Sequence, residues 1–72
     1  MMNRCHVDFY LRGREEPLRC IWAGNENTST EVANTILNGR REQDFYGLQG
    51  INKDHNVLVR IGDIVALDIY AM

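Results

Sequence analysis

Between Cys5 and Leu11 the chain alternates without a break: Cys5, Val7, Phe9 and Leu11 are apolar, with His6, Asp8 and Tyr10 between them. Successive side chains of a strand point to opposite faces, so this period specifies a strand buried on one face and excludes a helix. The polar link Arg12-Gly13-Arg14-Glu15-Glu16-Pro17 holds the only proline, and Leu18-Arg19-Cys20-Ile21-Trp22-Ala23 follows as a second strand-like run. Two such runs joined by a short turn-rich link form an antiparallel hairpin. Setting Leu11 opposite Leu18 places Phe9 against Cys20 and Val7 against Trp22, which collects the large apolar groups on one face. Cys5 and Cys20 are not opposite one another in that register, so no disulfide between them is expected.

After the loop Gly24-Asn25-Glu26-Asn27, the segment Thr28-Ser29-Thr30-Glu31 has the form of a capping box, in which hydroxyl and carboxylate satisfy two orphan amides at a helix start. Val32, Ala33, Ile36 and Leu37 make one apolar stripe, and Asn38-Gly39 supplies a left-handed stop. A helix of about three turns is marginal in water by itself and has to lay its stripe on the sheet. Strand patterns return at Phe45–Ile51, where Gly47 and Gly50 interrupt the run, at Val57–Ile61 and at Ile64–Tyr70. The expected fold is therefore α+β, in the order ββαβββ, with a mostly antiparallel sheet carrying one helix on one face. A chain of 72 residues makes one domain, residues 1–72, with no second core. So small a core is often helped by a partner subunit, a metal or disulfides.

Composition narrows the function. Eight basic against ten acidic residues leave a formal charge of −2, which disfavours a general nucleic-acid or anionic-membrane binder. No stretch approaches the length of a membrane span, and Met1-Met2-Asn3-Arg4 runs into the first strand without an apolar leader, so the expected location is cytoplasmic. Cys5, His6, Asp8, Cys20, Asp54 and His55 could ligate a metal, but they lack CxxC or helical spacing, and neither metal nor cofactor is expected. There is no phosphate-binding glycine loop and no nucleophile signature. Asp8, near Arg19 and Tyr10 on the polar face of the hairpin, is the one convergence of titratable groups, and an ordinary cross-strand ion pair is the favoured account of it. Asp8 or His55 as a base would be needed for an enzyme, and the expectation is that the chain is not one.

Two places remain. If the first strand runs up and the second down, a helix of about 15 Å climbs back and brings Arg40 and Arg41 to the end that holds Arg12 and Arg14. These four arginines are the candidate ligand-binding residues, for a small anionic ligand, with Glu15, Glu16, Glu42 and Asp44 present to neutralise them. The last strand has neither proline nor lysine to guard it. Ile64, Ala66, Asp68 and Tyr70 are its candidate interface residues, for a homo-oligomer or a protein partner, provided the strand is an edge and not central.

The hairpin, the short capped helix and the closing pattern Val57-Leu58-Val59-Arg60-Ile61-Gly62-Asp63-Ile64-Val65-Ala66-Leu67-Asp68-Ile69 resemble small uncharacterised proteins of Gram-positive bacteria and their phages. The resemblance spans most of the chain and rests on apolar pattern. It implies a fold and a phage or accessory-gene origin, and it brings no active residues with it. The reading that follows is a non-enzymatic binding or interaction module, self-associating through a sheet edge. The alternative is a nucleic-acid- or nucleotide-binding accessory protein using the arginine pole, with Tyr10, Tyr46 or His6 for stacking.

Overall fold

The computed structural model describes residues 4–72. Met1 to Asn3, on which the expectation about a leader partly rests, lie outside the described residues. The elements are β1 (Arg4–Leu11), β2 (Leu18–Ala23), α1 (Ser29–Leu37), β3 (Phe45–Gly50), β4 (Asn56–Arg60), a single 3-10 turn (Ile61–Asp63) and β5 (Ile64–Ala71). The strands form one antiparallel sheet in the order β4-β3-β2-β1-β5, and α1 is the single α-helix among the described residues.

The hairpin pairs in a different register from the one that pattern alone selects. Phe9, not Leu11, faces Leu18, and Val7 faces Cys20. A shift of two residues leaves every side chain on its own face, so the apolar alternation cannot tell the two registers apart. The polar face can: the observed register sets Arg19 directly opposite Asp8, whereas the other leaves Asp8 against Ile21. Cys5 accordingly faces Trp22, and both cysteines are buried free thiols.

Thr28 caps α1, its Oγ1 accepting from the Glu31 N–H at 3.1 Å. The returning arm of the box lands on the Asn27 N–H, which donates to Glu31 Oε1 at 3.1 Å. The helix stops as expected, with Gly39 at φ +74°, a conformation that favours glycine. Its stripe is narrower than the sequence indicates, since Val32 and Ile36 are buried while Leu37 is 39 % exposed. Together with Cys5, Val7, Phe9, Cys20, Trp22, Leu48, Val57 and Val59 they form one core.

The sheet is strongly coiled. Cys20 faces Val7 on one side and Gly50 on the other, so in a flat sheet Asp44 and Arg12 would lie about 36 Å apart along the strands. Yet the Ile61–Asp63 turn reaches both: the Ile61 N–H donates to the Asp44 carbonyl and the Arg12 N–H donates to the Asp63 carbonyl, each at 2.8 Å, in a molecule 32 Å across at most. Only a sheet rolled toward an open barrel brings those ends together. Gly62 sits under the same clamp, donating to the Glu42 carbonyl at 2.8 Å, and a Cβ there would meet that oxygen at 2.9 Å.

Ile36→Ala should lower the unfolding free energy by about 2–5 kcal/mol and Leu37→Ala by under about 1 kcal/mol, measured by urea denaturation. Burial, aided by Asp8, raises the Cys20 thiol from its ordinary 9.0 to about 11. The folded state then keeps a proton that the unfolded chain releases, so this contribution to stability is complete below about pH 9 and is lost as pH rises through 11. Urea midpoints measured across that range should fall for the wild type and fall less steeply for Cys20→Ala.

Candidate functional site

The face of the sheet away from α1 carries one buried charge. Asp8 is 3 % exposed, in the middle of β1, an interior strand flanked by β2 and β5. Arg19, opposite it on β2, donates Nε to Oδ1 at 3.0 Å and Nη2 to Oδ2 at 3.2 Å, a two-pronged charge-assisted contact. From the other neighbour, β5, the Tyr70 hydroxyl donates to Oδ2 at 3.2 Å, and the Arg19 guanidinium lies 5.7 Å from the Tyr70 ring centre. Tyr10, placed beside Asp8 by sequence reasoning, is exposed and faces Ala66 instead. Tyr70, 62 positions from Asp8, takes that place, and no local pattern could have found it. Burial and the bond to Asp8 hold the Tyr70 phenol above its ordinary range. His6 lies with its ring 5.3 Å from that of Tyr70, and its buried Nδ1 has no hydrogen-bond partner among the described residues.

The interface candidates all lie on β5, which among the described residues pairs with β1 alone and so stands at the edge of the sheet. Tyr70 and Ile64 are half-buried, and Ala66 and Asp68 are exposed. Asp68 faces Asp8 across the sheet, a like-charge pair that Arg19 offsets. On the core side of β5 a groove of about 330 Å³ runs between Leu67, Asp68 and Ile69 and the first turns of α1 at Ser29, Thr30 and Ala33. Val65 and Met72 add apolar surface at 68 % and 58 % exposure.

The arginine candidates are divided. Arg12 and Arg41 lie in the two loops that converge on the Ile61–Asp63 turn, where Arg60 pairs with Asp63 at 3.0 Å. Arg14 bonds locally to the Glu16 carbonyl at 3.4 Å. Arg40 turns to the end of α1, donating to the Ile36 carbonyl at 2.6 Å and the Thr35 carbonyl at 3.2 Å, and its guanidinium stands 4.4 Å over the Tyr46 ring. Among the described residues no ion pair joins these four arginines to Glu15, Glu16, Glu42 or Asp44.

A further opening lies between β2 and β3. These strands pair only at Cys20–Gly50 and Ile21–Gln49 and then part, leaving a cleft of about 490 Å³ bounded by Trp22 and Ala23 on one side and Tyr46, Gly47 and Leu48 on the other, with Arg4 at its rim. Among the described residues no three metal-capable side chains gather, and no helix is long and apolar enough to cross a membrane. No family model, no curated protein and no solved structure matches the chain.

Removing Arg19 alone strands the Asp8 carboxylate, whereas removing both partners does not. Arg19→Leu should therefore lower the thermal midpoint further than the double variant Asp8→Leu/Arg19→Leu, and a calorimetric comparison in which the double variant is the less stable of the two excludes a buried unpaired charge as the cause.

Proposed function

We propose that this chain is a non-enzymatic interaction module that self-associates by adding β5 of one copy to β5 of another. One observation carries the reading: β5 is an eight-residue edge strand whose described neighbours leave its outer backbone unpaired. Such an edge is a template for another strand; it lacks proline and lysine, and its register shift, which leaves Val65 without a partner on β1, falls near its start.

A second copy is the occupant the strand's own chemistry favours. Asp68 is the only charge from Ile64 to Ala71. An antiparallel pair centred on Leu67 sets each Asp68 against Ala66 of the other copy, so no like charges meet. It also covers the half-buried Leu67 and Ile69 and the exposed Val65. A two-fold pair of this kind closes on itself and yields a dimer rather than a filament. In the expected ββαβββ order the last strand is free for this role because the helix lies behind it. The alternative, anion capture at the arginine pole, retains Arg12, Arg14 and Arg41, since Arg40 is occupied by the end of α1 and by Tyr46.

Sedimentation equilibrium between about 5 and 500 μM should reveal a concentration-dependent dimer that is insensitive to added salt. Val65→Lys/Ala66→Lys, at two exposed positions, should give a folded monomer. A wild type that stays monomeric at the highest concentration sinks the dimer. Binding of a short RNA that weakens steeply with salt supports the arginine pole in its place.

A further inference from the structure

The parting of β2 and β3 is unusual because both strands continue as strands beyond the point where they separate. Trp22 and Ala23 still pair with Cys5 and Arg4 on β1, and Gly47 and Leu48 still pair with Leu58 and Val57 on β4. Each strand is thus held on its far side and open on the side facing the cleft. Alternate residues of an antiparallel strand turn their N–H and C=O to the same side, so both walls present backbone donors and acceptors that no described strand satisfies. The rings of Trp22 and Tyr46, stacked at 6.3 Å and 24°, line the opening. The guanidinium of Arg40 backs the Tyr46 ring.

The charge of the opening is one-sided. Arg4 is the only charged residue lining it, and Arg4 pairs with no carboxylate among the described residues. Glu26, next to Trp22, is already occupied: it accepts from the indole N–H at 3.2 Å and from the Thr35 hydroxyl at 2.9 Å. These bonds hold the Glu26 carboxyl below its ordinary value, that to Thr35 most strongly. At about 490 Å³ the cleft has the size of a small-molecule site.

We infer that the cleft between β2 and β3 binds a nucleoside monophosphate, its base wedged in the plane of the sheet and its phosphate held by Arg4. A flat heterocycle carries donors and acceptors along its edges, as two facing unpaired backbones require. Lying in the sheet plane, it rests against the Trp22–Tyr46 ring pair that lines the cleft. The phosphate supplies the anion that the Arg4 fork lacks. This site is separate from the β5 edge and does not depend on self-association.

Trp22 is the only tryptophan, so its emission reports on the cleft directly. The intact chain is titrated with AMP, GMP, CMP and UMP, and in parallel with the four nucleosides and with inorganic phosphate, by fluorescence and by calorimetry. At least one monophosphate should give saturable binding below about 1 mM, and its nucleoside and free phosphate should each bind at least about tenfold more weakly. Arg4→Ala, at an exposed position, should raise the half-saturation concentration about tenfold at an unchanged unfolding midpoint. Ala23→Leu, which fills the cleft from an exposed position, should abolish the signal. The inference is overturned if no monophosphate saturates by about 5 mM, if nucleosides bind as well as their phosphates, or if both folded variants bind as the wild type does.

Discussion

A carboxylate almost shut off from water sits in the middle of the interior strand β1, and its neutralisation ties that strand to both of its neighbours. Asp8 is reached from β2 by both arms of the Arg19 guanidinium and from β5 by the Tyr70 hydroxyl, so one side chain ties together three neighbouring strands. An unpaired buried charge is costly enough to forbid most alternatives. Because apolar alternation tolerates a slip of two residues, the Asp8–Arg19 contact is what distinguishes the observed hairpin register from its competitor. Every position downstream inherits that choice, including which residues of β2 face the cleft.

The second organising constraint is the clamp at Ile61–Asp63. Three residues join β4 to β5 although three strands lie between them in the sheet. The link closes only because the sheet coils, and backbone hydrogen bonds to Asp44, Glu42 and Arg12 fix the closure. The helix α1 then lies against the concave side, where Val32 and Ile36 complete a core that five strands alone would leave open. The same coiling draws the arginine-bearing loops to one end, so the gathering of charge there follows from the twist of the backbone.

Coiling and register together leave two parts of the backbone unpaired. Among the described residues no strand pairs with the outer side of β5, and it is flanked by apolar groups only partly covered by α1. The gap between β2 and β3 is open over a few residues, lined by aromatic rings and rimmed by one arginine. The first offers a row of backbone groups, the second backbone groups beside aromatic rings and one guanidinium. Unpaired backbone is the common physical feature, because main-chain donors and acceptors outside regular pairing remain available for recognition.

The sequence alone determined the local elements, since each rests on interactions between near neighbours. The period of Cys5–Leu11, the box from Thr28 to Glu31 and the stop at Gly39 specify the first strand and the two ends of the helix. Even there, Leu37 belonged to the apolar stripe by spacing and yet stays more than a third exposed, because the sheet meets the helix along Val32 and Ile36. The candidate sites were less legible: β5 could be read as an edge or a centre, and Arg40 could be assigned to a pole but not to the carbonyls it caps. Tertiary structure alone decided the hairpin register, the coil, the cleft and the place of Tyr70 beside Asp8. Each of these depends on which distant backbones come within hydrogen-bond reach, and a pattern of period two carries no information about that distance.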